Sequence, residues 1–118
     1  KVLVEGNPVV INRRKYRRMP LTHACDISSE MSGKTYEGKM VNISANGFAF
    51  STKEEDIKNA KGKKVSLKIK DFPVLGERML DGYVTRVSDN EGEYIVGCRM
   101  MEDNSDIYNY VEKNYKGL

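Results

Sequence analysis

In residues 64–70, Val65, Leu67 and Ile69 alternate with Lys64, Ser66, Lys68 and Lys70. A period of two puts the apolar set on one face of a pleated strand and the polar set on the other; a helix cannot separate them this way. Residues 21–27 repeat the pattern, with Leu21, His23, Cys25 and Ile27 against Thr22, Ala24 and Asp26. Residues 34–44 carry Tyr36, Met40, Val41 and Ile43 as apolar members, and residues 48–50, 78–87 and 94–100 read as further strands. Asn46-Gly47 between two of them is a strong hairpin signal. Gly82 inside a strand marks a bulge or a close backbone approach. The stretch 88–92 reads as a loop, and 53–61 as a loop or one helical turn. The sum is six or seven short strands at a spacing of roughly ten residues, the mark of a sandwich or barrel. After them, Asn104-Ser105 can cap a helix with Ile107, Tyr110, Val111 and Tyr115 on one face. An amphipathic helix there can cover an open barrel end, while barrel closure removes sheet edges.

At 118 residues the chain is one domain with one core. No apolar run approaches the length of a membrane span. Lys1-Val2-Leu3-Val4 is too short for a signal peptide. The chain opens on Lys1, not Met, which reads as a domain cut from a longer protein. Residues 1–12 hold two apolar pieces split by Gly6-Asn7-Pro8. They read as an N-terminal arm or linker to an upstream region, with Val9-Val10-Ile11 as a short strand or docked arm. Cys25 and Cys98 are far apart, without a CxxC pair and with His23 the one histidine, so a zinc site is not expected. Two buried thiols in a reducing compartment are. His23, on the apolar face of a strand, reads as a satisfied core residue. There is no nucleophile elbow, no phosphate loop and no dinucleotide fingerprint. The carboxylates sit in solvated runs, so an enzyme is not expected, nor any cofactor or metal.

Charge singles out another stretch. The net charge is only +3, yet Arg13-Arg14-Lys15-Tyr16-Arg17-Arg18 gathers five cations into six residues. That distribution argues against a general nucleic-acid coat, which spreads one sign over a face. Arginine presents a planar fork of donors that matches phosphate oxygens and the O6/N7 edge of guanine, and it stacks on purine faces. Taken alone, the run reads first as a solvated basic arm. Downstream, Asn42-Ile43-Ser44-Ala45-Asn46-Gly47 offers a side-chain amide for a base edge, a hydroxyl, and a glycine that tolerates φ > 0 and lets a ligand approach the backbone. Taken alone, that too reads first as an Asn-Gly turn.

Together, Arg14-x-x-x-Arg18 and Asn42-x-Ser44-x-x-Gly47 resemble the paired RxxxR and [D/N]xSxxG signature of PilZ domains. Residues 80–86 and 97–100 are similar to that family's later strands, and the C-terminal helix has its counterpart, so the likeness spans about residues 12–115. It implies an all-β, six-stranded antiparallel β-barrel with a C-terminal α-helix over residues 13–118, in a cytoplasmic bacterial receptor for cyclic di-GMP. It further implies that Arg14 and Arg18 grip phosphates and guanine Hoogsteen edges. Asn42 would hydrogen-bond a guanine, Ser44 would contact the ligand's backbone or a neighbouring base, and Gly47 would shape the turn. Asn42 stands where many members have Asp. Arg13 beside the motif implies two intercalated ligand molecules per domain. Arg86 and Arg99 are candidates for extra contacts, with a salt-bridged barrel surface as the other reading. Lys15, Tyr16 and Arg17 fall on variable positions and receive no ligand role. Ligand would clamp the basic arm onto the barrel and reorient residues 1–12 towards a protein partner or linked output domain. Two rivals stand beside this: a small barrel for single-stranded nucleic acid, and a degenerate protein-interaction module without ligand.

Overall fold

The computed structural model describes residues 16–30 and 33–114. The strands are β1 (Met19–Pro20), β2 (Ala24–Ser29), β3 (Thr35–Ser44), β4 (Gly47–Thr52), β5 (Lys64–Ile69), β6 (Leu80–Asn90) and β7 (Glu93–Arg99). A 3₁₀ turn spans Glu55–Asn59 and helix α1 spans Ser105–Asn114. β1 and β2 both pair with β3 and act as one interrupted strand. Antiparallel pairing then runs β2–β3–β4–β7–β6–β5 and returns to β2, closing six staves into a barrel. Both the six-stranded barrel and the terminal helix expected from the sequence are present.

The inward set of the alternating strands fills the interior. Ile27, Met40, Ile43, Phe50, Val65, Leu67 and Val96 are fully buried. Burying side chains of this size stabilises by about 1.5–3 kcal/mol each. Ile107 and Val111 of α1 join the same core. The 3₁₀ turn inserts Ile57 beside β6 and β7. Asn104 caps α1, its Oδ1 accepting from the Ile107 N–H at 3.0 Å. His23 lies just before β2, its Nδ1–H donating to the Lys70 carbonyl at 2.8 Å and its ring edge-on to Phe72 at 5.5 Å.

Two bulges reset the alternation. In β3, Met40 faces Phe50 and Asn42 faces Ala49, so Val41 is the extra residue. Met40 and Ile43 are three apart, an odd spacing that a regular strand would send to opposite faces. The bulge turns both inward and leaves Asn42 partly exposed on the other side. In β6, Val84 faces Cys98 and Arg86 faces Gly97, so Thr85 is the extra residue. Val84 is buried and Arg86 is exposed, although period two would place both inside. Gly82 is not the bulge. A β-carbon built on it would lie 2.9 Å from the Phe48 ring, so glycine serves a close approach there. Residues 88–92 are also not a loop: β6 and β7 run on as a ladder from Ser88↔Ile95 to Asn90↔Glu93, with the turn at Glu91-Gly92.

Candidate functional site

Arg18, the described end of the first motif, meets the second motif at one corner of the barrel. Met19 pairs with Ile43 and Pro20 with Asn42, so the next step of that register sets Arg18 beside Ser44. On the other side of β3, Ser44 pairs with Gly47 of β4. Met19 and Ile43 are buried, and the alternation turns Arg18 and Asn42 to the outer face. Arg13 and Arg14 lie outside the described residues, as does the whole of the 1–12 arm.

The turn between β3 and β4 is built differently from the sequence expectation. Ser44 pairs directly with Gly47, leaving Ala45-Asn46 as the two-residue loop. Neither these residues nor Gly47 has positive φ; among the described residues that conformation belongs to Asp71, Glu91, Gly33, Gly62, Gly76 and Gly92. Gly47 is required for space instead. A β-carbon there would lie 2.7 Å from the Cys98 carbonyl oxygen, closer than real contacts allow. Ser44 is buried, and its hydroxyl donates within the turn, to Asn46 Oδ1 at 3.0 Å or to the Gly47 carbonyl at 3.2 Å. It braces the turn and does not line the open surface.

Beside this corner runs a groove of about 280 Å³, lined by Tyr16, Arg18, Asn46, Gly47, Thr85, Cys98 and Arg99. A smaller adjoining hollow of about 80 Å³ shares Arg18, Thr85 and Cys98 and adds Arg86 and Gly97. The structure therefore brings Arg18 and Gly47 to one groove, with Asn42 on the same outer face and Ser44 beneath. Thr85, the bulge residue, donates its hydroxyl hydrogen to the Gly97 carbonyl at 3.1 Å. The Arg86 side chain lies across Gly97, where an added β-carbon would come within 3.0 Å of Nε. Arg86 and Arg99 make no ion pair with a carboxylate among the described residues, so the salt-bridged reading of them does not hold. Among the described residues, no carboxylate lines either hollow. The groove thus presents guanidinium groups, a hydroxyl and backbone, which suits a planar, anionic ligand. Cys98 borders it without reactivity, because burial pushes its thiol up to about 12.

Tyr16 and Arg17 are not merely solvated. The Tyr16 hydroxyl donates to Asp103 Oδ2 at 2.5 Å, its ring meets Tyr108 edge-on at 5.6 Å, and Arg17 Nε lies 3.7 Å from Glu112. Tyr16 and Arg17 are thereby moored to α1 and the loop before it. Arg86 was already a candidate contact in the sequence, whereas nothing there marks Thr85. The signal for Tyr16 was its aromatic ring inside a run of cations.

Among solved structures, the chain is similar to the Bacillus subtilis inhibitor of motility MotI/DgrA. The TM-score is 0.68 at 19% identity, over 91% of this chain and 55% of that one. It is similar to the K. pneumonia MrkH–c-di-GMP complex, with TM-score 0.62 and 23% identity over 88% and 51% of the two chains. It also resembles the PilZ domain of Escherichia coli YcgR solved with c-di-GMP, at TM-score 0.65 and 12% identity over 86% and 88%. The chain spans about half the length of the first two. No curated protein sequence matches it. The sequence pattern of the PilZ domain matches residues 12–113, from the basic run into the terminal helix. Closed barrel, paired motifs at one corner and that match together make the chain a member of the PilZ domain family.

Proposed function

We propose that this PilZ domain is a cytoplasmic bacterial receptor for cyclic di-GMP, without catalysis of its own. The observation that carries the reading is that Arg18 lies at the same corner as the Asn42–Gly47 motif. Arg18 stands beside Ser44 and Gly47, at a groove lined by Arg99 and an adjoining hollow lined by Arg86, with no carboxylate among the described lining residues. Family membership and the relatives solved with c-di-GMP support it.

In this reading Arg14 and Arg18 hold phosphates and guanine Hoogsteen edges, and Asn42 hydrogen-bonds a guanine. Ser44 holds the shape of the turn that carries Gly47; its hydroxyl reaches ligand only by turning from Asn46. Arg86 and Arg99 add stacking and charge on the far wall. Arg13 supports a second, intercalated ligand molecule. Bound phosphates offset the repulsion within the basic run and order it against the barrel, which reorients the 1–12 arm towards a partner or linked output domain.

Calorimetric titration with cyclic di-GMP tests this. Two molecules per chain are expected, falling to one in Arg13→Ala. A flat trace overturns the receptor reading and favours a protein-only module. An oligonucleotide that binds and is not displaced by cyclic di-GMP favours the single-stranded nucleic-acid reading.

A further inference from the structure

A second groove of about 320 Å³ lies between the start of β6 and the segment that follows β7. Its lining includes Met79, Asp81, Tyr83, Met101, Glu102 and Asp103. Five large apolar side chains are exposed among the described residues: Val41, Met79, Tyr83, Met101 and Tyr108. Three of the five line this one groove, Met101 at 75% exposure and Met79 at 48%. Methionine is flexible and polarisable, and it recurs on surfaces that accept apolar partner side chains. Among the described residues, the groove's charged members are Asp81, Glu102 and Asp103 against Lys64. This patch is acidic on a chain whose net charge is +3.

Asp103 also connects the groove to the ligand corner, since it accepts the Tyr16 hydroxyl hydrogen at 2.5 Å. Tyr16 lies two residues before Arg18 and lines the other groove. A movement of the basic run that withdraws Tyr16 therefore takes one hydrogen-bond donor from the Asp103 carboxylate at the methionine groove.

We propose that the methionine groove docks a basic, apolar segment of a protein partner, and that the ligand corner controls its affinity through Tyr16. Leucine-like side chains of the partner cover Met79, Tyr83 and Met101, while its cations meet Asp81, Glu102 and Asp103. Ligand capture at Arg18 draws Tyr16 from Asp103 and strengthens the acidic rim. The control rests on the cyclic di-GMP reading; the docking does not.

The probe is a short, fluorescent amphipathic peptide of Leu and Lys at helical spacing, with a twin carrying Glu for Lys. Anisotropy is expected to show binding of the Lys peptide alone. The Met79→Ser/Met101→Ser double variant should weaken it about tenfold, the order of one methionine's burial. Both side chains are exposed, so circular dichroism should show an intact fold and calorimetry unchanged cyclic di-GMP binding. Saturating cyclic di-GMP should tighten the Lys peptide severalfold, and Tyr16→Phe should do so without ligand. Equal binding of the twin peptides, no binding of either, or indifference to the double serine variant, overturns the docking. If calorimetry shows bound cyclic di-GMP, yet neither it nor Tyr16→Phe alters peptide affinity, the control is overturned. A flat calorimetric trace with intact peptide binding overturns the receptor reading alone.

Discussion

Two cationic walls of the same barrel differ in what their charges face. On the β5 wall, Lys68 meets Glu77 at 2.6 Å and Lys70 meets Asp26 at 3.5 Å. These charges are answered within the chain and exposed to water, where screening leaves an ion pair little net effect. On the β6–β7 wall, Arg86 and Arg99 have no carboxylate partner among the described residues and border a groove built against closely packed backbone. Cations left without carboxylates beside a shaped surface mark a binding wall; cations answered by neighbouring carboxylates mark a solubilising one. Residue type follows the division, since lysine is a point charge and arginine a flat fork.

The difference can be broken most severely at the corner where the motifs meet. Arg14→Ala and Arg18→Ala should each cost roughly 1–3 kcal/mol of cyclic di-GMP binding, the scale of a bidentate guanine contact. Calorimetry on both variants at unchanged melting temperature checks this, and unimpaired binding would refute the site. Gly47→Ala comes next, because its methyl meets the Cys98 carbonyl. Strand separation there should cost about 1–3 kcal/mol of stability, read as a lowered denaturation midpoint. Arg86→Ala or Arg99→Ala should weaken binding by about 1 kcal/mol each. Lys68→Ala should leave both binding and the denaturation midpoint unchanged, and any loss of affinity there would dissolve the distinction between the walls. Added salt should weaken binding to the arginine wall, since phosphate contacts with exposed guanidinium are screened.

The smallest effect is one of pH. Burial pushes the Cys25 and Cys98 thiols up to about 12, from an ordinary value of 9.0. The folded state thus keeps protons that the unfolded state releases between these values. Stability should be intact below pH 9 and decline as pH rises from there towards 12. Denaturation midpoints measured across that range check it, and Cys25→Ala/Cys98→Ala should flatten the slope.

Much of the fold was legible because alternation is a local signal. Val65, Leu67 and Ile69 announce their common face, and all three are buried. The boundary errors have physical causes. The stretch 88–92 is polar on both faces because that end of the β6–β7 ladder is exposed, so no apolar period marks it. The Asn-Gly signal located the right hairpin but not its register. Tertiary packing against Cys98 fixes Gly47 as a strand residue and Ala45-Asn46 as the loop. Arg18, Asn42, Ser44 and Gly47 were readable as a motif; that Ser44 is turned into its own turn was not.

By itself the sequence determined a small sandwich or barrel with a terminal helix, and two motif stretches whose resemblance to a family implied the six-stranded barrel. The first follows from period-two patterning, the second from motif residues whose spacing is read along the chain. Only the tertiary structure decided what stands opposite the corner. A bulge at Thr85 reverses the alternation and turns Arg86 outward, and pairing across β4 and β7 sets Arg99 beside Gly47. It also moored Tyr16 to Asp103, a contact between residues 87 positions apart. A bulge is one unpaired residue in a ladder, and its place depends on the partner strand. No local pattern encodes it.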